Sequence, residues 1–228
     1  MEKYYNAFIN IFSVLCYYVI VAVLLNFNSN FQKIKLERQL YIIKNVVKAG
    51  VLLYLAIFSS IDFVRFMIND HFEMKLVYNY ASLYVSNDFI ALLIVPNLPL
   101  TTKIHHQITS LFLIYSLHVD FNELTNFGQL LFIYTIFSSY AFLVNFYLGM
   151  RFLKHDNSTY LNEIIEYSRI SARFIYKYTC FINWIIQISI LCQRLYIGVF
   201  NFHYSVYCFL LYFIIKDDLI LMEWLKKK

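Results

Sequence analysis

The stretch from Tyr84 to His106, YVSNDFIALLIVPNLPLTTKIHH, constrains the fold more than any other part of the chain. It places Asp88 inside an apolar run, then both prolines of the protein, Pro96 and Pro99, then the adjacent pair His105 and His106. Proline cannot continue a helix, and it disfavours helical backbone in the residue before it, so the run must end and turn back here. Helices joined by so short a turn are antiparallel neighbours. A carboxylate within a segment long enough to cross a bilayer costs a few kcal/mol unless something offsets it, which makes Asp88 a site candidate.

The rest of the chain makes a bilayer the expected surroundings. Of 228 residues, 61% are hydrophobic and 14% charged, and the mean hydropathy is +0.58. Soluble domains are far more polar. Apolar runs at 7–27, 47–68, 76–95, 101–118, 124–150, 174–197 and 199–215 predict an all-α polytopic bundle or barrel of about seven spans. The first run is too long for a signal-peptide core and lacks a small-residue cleavage site, so it is expected to be retained. The chain then divides into an N-terminal span with a basic loop (1–44), a main transmembrane domain (45–215) and a basic tail (216–228). Residues 28–48 carry Lys33, Lys35, Arg38, Lys44 and Lys48 against Glu37 alone. They read either as a solvated loop or as a surface helix seated on Phe31, Ile34 and Leu40. The 151–177 linker is basic too, and Leu161, Ile164 and Ile165 predict one apolar stripe of an interfacial helix.

Charge sets the orientation. With the 28–48 loop in the cytosol, alternation puts the 96–103 turn, the 151–177 linker and the tail there as well. That side then holds fifteen of the nineteen Lys and Arg, as the positive-inside rule requires. The N-terminus is expected outside or in a lumen and the C-terminus in the cytosol. The single sequon, Asn157-Ser158-Thr159, is then cytosolic.

Depth arithmetic brings the buried polar residues together. Asp88 lies about 10 Å inside the cytosolic end of its helix, His106 about 8–9 Å, Asn145 about 7–8 Å and Asn183 about 13 Å. On the fourth span Thr101, His105 and Thr109 form one row, and Thr102, His106 and Ser110 the next, about 100° away. One histidine is therefore expected to face Asp88 and the cavity, with a weak preference for His106, and the other to pack on a neighbouring helix. Thr135, Ser138, Phe142 and Asn145 share a face of the fifth span. These faces predict a cavity that is polar toward the cytosol and apolar toward the midplane, a shape that suits an amphiphile. Asp62, Arg65 and Arg194 form a second cluster near the outer side, expected to be structural.

The order Tyr84-x-x-x-Asp88, His105-His106 after a proline turn, a Ser/Phe/Asn-rich helix from Ser138 to Asn145, and Arg194 late in the chain resembles the TLC family. That family is named for translocation-associated membrane proteins, Lag-type ceramide synthases and the CLN lipid-regulating proteins. The resemblance implies a membrane-embedded helical barrel that handles long-chain lipids; with the depth arithmetic, Tyr84, Asp88, His105, His106, Asn145 and Asn183 are expected at the lipid site. The His-Asp-x-x-Asp element of the ceramide synthases has no counterpart between Phe121 and Met150. Binding, sensing or regulation of lipid is therefore expected, in the endoplasmic reticulum or another internal membrane. The alternative is an acyl-CoA-dependent N-acyltransferase with His105, His106 and Asp88 catalytic, one histidine being general base or transient acyl acceptor. Six histidines with one adjacent pair are too few for a di-iron site. No metal, cofactor or nucleic acid is expected, and the four cysteines lie in apolar runs as free thiols.

Overall fold

The computed structural model describes residues 2–69, 74–118, 127–154 and 159–226. Over these the chain is helical: α1 (Glu2–Asn26), α2 (Ser29–Gln32), α3 (Leu36–Asn69), α4 (Met74–Ile94), α5 (Leu100–His118), α6 (Phe127–Ser139), α7 (Phe142–Met150), a 3₁₀ turn (Arg151–Leu153), α8 (Thr159–Tyr196) and α9 (Phe202–Lys226). No strand occurs among the described residues. Parts of the 69–75 and 118–123 linkers, Asn157 and Ser158 of the sequon, and the last two lysines of the tail lie outside them.

The proline turn forms as the sequence dictates. α4 stops at Ile94, Pro96 follows Val95, and the Lys103 N–H opens α5 by donating to the Pro99 carbonyl at 2.9 Å. The Asn97 amide donates to Glu37 at 2.9 Å and ties this turn to the start of α3. α8 ends where Gly198 takes a φ of 75°, a left-handed conformation open to glycine because it lacks a Cβ.

Around the bundle α3 packs on α7, α7 on α8, α8 on α9, α9 on α5, α5 on α4, and α4 back on α3. The result is a closed ring in which α3 and α9 stand on opposite sides. α6, the first half of the bent helix, reaches α3, α4 and α8, and α1 lies outside against α4 and α3. α3 and α7 approach closely at Gly149, where a Cβ would meet Val46 Cγ2 at 3.1 Å and the Ile42 carbonyl at 3.3 Å, so a larger residue would push these helices apart by a few tenths of an ångström.

The ring is polar within and apolar without. On α8, Ser168, Arg169, Asn183 and Gln187 are buried, while Phe174, Tyr178, Phe181 and Ile185 are exposed. α1 and α3 likewise expose Phe8, Phe12, Val19, Tyr54, Ile57 and Val64. An apolar surface of this extent marks contact with a membrane or with another protein. By length and composition, Tyr4–Asn26, Leu36–Arg65 and Thr159–Tyr196 can cross a membrane. The pair Gly128–Ser139 and Phe142–Leu153, bent by 41°, is a fourth if it makes one span. The seven expected from the apolar runs are not all of this kind, because α4, α5 and α9 carry too many polar residues.

Several boundaries differ from expectation. α3 begins at Leu36, so the 28–48 segment is no loop in its second half, and Lys44 and Lys48 are buried at 4% and 6% exposure. The proposed domain limits at 44/45 and 215/216 fall inside α3 and α9. The described part of the 151–177 linker is mostly the first half of α8. Its predicted stripe is split, with Ile165 buried and Ile164 exposed. Arg169 from this segment donates to the Leu225 carbonyl at 3.1 Å and docks α8 on the end of α9. The single 124–150 span is broken after Ser138-Ser139. There the Tyr140 and Ala141 N–H groups turn to the Phe137 and Ser138 carbonyls in 3₁₀ fashion.

Candidate functional site

The ring encloses a cavity of about 80 Å³, room for several waters, to which all of its helices contribute side chains. Tyr41, Lys44 and Lys48 come from α3, Tyr84 from α4, and Thr101, Thr102, His105 and His106 from α5. Tyr134, Phe137 and Ser138 come from α6, Asn145 from α7, Tyr176, Cys180 and Asn183 from α8, and Asp217, Asp218 and Trp224 from α9. Thr101, Tyr41 and Trp224 belong to the end of the bundle where α5 and α3 begin and α9 finishes.

Asp88 lies just behind the cavity wall, fully buried, and is the hub of the polar groups there. The Lys48 ammonium donates to its Oδ1 at 2.5 Å and the Thr109 hydroxyl to its Oδ2 at 3.2 Å. His106 brings Nδ1 within 3.1 Å of the same Oδ1, close enough for strong attraction but without the alignment of a hydrogen bond. Its Nε2, also buried, has no partner among the described residues. His105 lies between two carboxylates, with Nε2 4.0 Å from Asp88 and Nδ1 3.3 Å from Asp217. Both imidazoles therefore line the cavity and both approach acids. The expectation that one would pack away on a neighbouring helix does not hold, because α9 supplies a second carboxylate on that side.

Of the residues singled out by sequence, Tyr84, His105, His106, Asn145 and Asn183 lie on the cavity wall, and Asp88 sits directly behind it. Asn145 donates to the Ala141 carbonyl at 2.9 Å and so satisfies the break between α6 and α7. Asn183 accepts from Gln187, whose amide also donates to the Leu130 carbonyl at 2.9 Å while its oxygen accepts from the Tyr207 hydroxyl at 2.8 Å. Gln187 thus pins α6 and α9 to α8. The second cluster separates: Asp62 pairs with Arg65 at 3.1 Å and accepts from the Tyr80 hydroxyl, while Arg194 stands at the end of α8 near Tyr204.

Sequence reasoning missed Lys44, Lys48, Tyr176, Asp217 and Asp218. The signal was periodicity: Tyr41, Lys44, Lys48, Leu52 and Leu55 recur at helical spacing, as do Asp217 or Asp218, Leu221 and Trp224 or Leu225. Asp88, His105 and His106 also bring three atoms of the metal-ligating kind within 4.8 Å of one another. The Lys48 ammonium supplies the positive charge at that carboxylate.

Beyond Tyr84 and Tyr134, whose rings meet edge to face at 6.1 Å, lies a second and smaller cavity. Its walls are almost wholly apolar, with Ala81, Val85, Phe112, Leu113 and Leu131 among them. The two tyrosines line both spaces and divide the polar from the apolar.

Comparison with family models, with curated proteins and with solved structures finds no match for this chain.

Proposed function

We propose that this is a multi-pass membrane protein of the TLC type that binds, and through binding senses or regulates, a long-chain lipid. The polar cavity takes the headgroup, and the apolar cavity beyond Tyr84 and Tyr134 takes the start of the chain. The observation that carries the reading is an apolar exterior around an internal space lined by Lys48 and His106, with Asp88 directly behind them. Charged groups are held inside such a bundle where they meet a polar substrate.

In this reading α1, α3, α4, α5, α6 with α7, α8 and α9 are seven spans. α4, α5 and α9 cross although they are less apolar, because their polar residues face other helices. Asn79, Ser82 and Asn87 of α4 bond or pack against α1, as in the Tyr18 hydroxyl donating to Asn87 at 3.0 Å and the Asn10 amide to Asn79 at 3.0 Å. The N-terminus is lumenal and the C-terminus cytosolic, in the endoplasmic reticulum or another internal membrane. The basic starts of α3 and α8 and the Lys226 end of α9 support this placement.

A second reading rests on His105. An imidazole that lines a cavity with Nδ1 3.3 Å from a carboxylate is placed as a general base could be. It would serve acyl transfer from an acyl-CoA to an amine. Mass spectrometry of lipid extracted from the purified protein, with an acyl-CoA turnover assay beside it, separates the two. Retained lipid without turnover is expected. Turnover that His105→Ala abolishes would favour the enzyme, and absence of both would remove the lipid reading.

A further inference from the structure

The charges of the cavity are sorted by wall. Lys44 and Lys48 lie on α3, and Asp217 and Asp218 on α9, the helix across the ring from it. Two of these four are answered within the protein: Lys48 by Asp88 at 2.5 Å, and Asp217 by His105 at 3.3 Å.

The other two are not. Lys44 is 4% exposed, its ammonium reaches only the Asn45 side-chain oxygen at 3.4 Å, and no carboxylate lies within salt-bridge distance among the described residues. Asp218 is 8% exposed and accepts from the Tyr176 hydroxyl at 2.7 Å, with no cation within salt-bridge distance among the described residues. Burying an unpaired charge is expensive, so each of these groups is held charged only where a partner of opposite sign joins it, and among the described residues the chain supplies none within salt-bridge distance. Aromatic rings line both ends of this set: Tyr41 and Tyr84 face the two lysines at 5.9 Å and 5.4 Å, and Tyr176, which bonds Asp218, and Trp224 line the same cavity. A carboxylate beside aromatic faces is the usual setting for an ammonium.

We infer that the ligand of this cavity is a zwitterion carrying both a phosphate and an ammonium, the phosphate toward Lys44 and the ammonium toward Asp218. This rests on the lipid-binding reading for its source, a zwitterionic phospholipid headgroup, although the same chemistry exists in soluble phosphoamines.

The test offers the purified full chain, in neutral maltoside detergent, an equal mixture of lysophosphatidylethanolamine, lysophosphatidylcholine, lysophosphatidic acid, a monoacylglycerol and a long-chain amine, with retention read by native mass spectrometry. Glycerophosphoethanolamine is offered separately in a thermal-shift assay. The zwitterionic lipids should be retained about tenfold over the anion and the amine, the effect of one charge-assisted contact. Lys44→Met should move the preference toward the amine, and Asp218→Asn toward lysophosphatidic acid. These are ratios between ligands on one sample, so partial unfolding of a variant does not change them. Lipid retained without discrimination, or ratios unmoved in both variants, would overturn the zwitterion and leave lipid binding standing. Glycerophosphoethanolamine stabilising a protein that holds no lipid would uphold the zwitterion and overturn the lipid source. Neither binding would remove both.

Discussion

Asp88 carries no exposed surface yet holds a lysine, a threonine and an imidazole, and its energetics follow from that burial. Removing one partner of a buried ion pair leaves the other uncompensated, which costs about 3–5 kcal/mol, whereas removing both costs much less. Lys48→Met alone should therefore lower stability by about that amount, and the Lys48→Met/Asp88→Asn double variant should recover a large part of it. Reversible unfolding in mixed micelles would measure the cycle, and strictly additive costs would show that the two charges are not coupled. Most of the hub was legible because Asp88, His105 and His106 stand out against apolar neighbours. Lys44, Lys48, Asp217 and Asp218 were not. A charge near the end of an apolar run looks the same whether it snorkels to water or turns inward, and the sequence does not show which helix lies opposite.

At the scale of the element, the contact between α3 and α7 depends on Gly149. Filling that position forces Val46 or the Ile42 carbonyl to move, and backbone cannot yield as a side-chain tip can. Gly149→Val should cost about 1–3 kcal/mol through overpacking. The loss should appear as a lower melting temperature, and unchanged melting would mean that α7 stands off from α3. The bent helix was hidden for a related reason. Nothing in 124–150 except the Ser138-Ser139 pair marks a break, and the stretch is apolar enough to read as one span. What the break achieves is visible only in the bundle: α6 turns inward to α4 while α7 stays in the ring between α3 and α8. The proline turn was legible throughout, because proline acts on its own backbone wherever it lies.

At the scale of the molecule, α3 at 34 residues and α8 at 38 are about 51 Å and 57 Å long, well beyond a hydrocarbon core of about 30 Å. The basic first half of α3 stands at the end of the bundle where Tyr41, Thr101 and Trp224 line the cavity, and that end is cytosolic in the proposed orientation. Asn157 should accordingly stay unglycosylated when the protein is made in eukaryotic cells, and glycosidase-sensitive mass on it would invert the topology. Long apolar runs made a helical chain with several helices long and apolar enough to cross a membrane readable from sequence alone. The ring was not readable, because closure depends on which faces meet. The central claim is that lipid occupies the interior of this ring, and the most direct measurement is photo-crosslinking with a lysophospholipid bearing a diazirine near its headgroup, followed by peptide mapping. Adducts should fall on cavity residues such as Tyr84, Tyr134 and Tyr176 and diminish in Asp88→Asn. Adducts confined to outward residues such as Phe174, Phe181 and Ile185, and indifferent to Asp88→Asn, would contradict it.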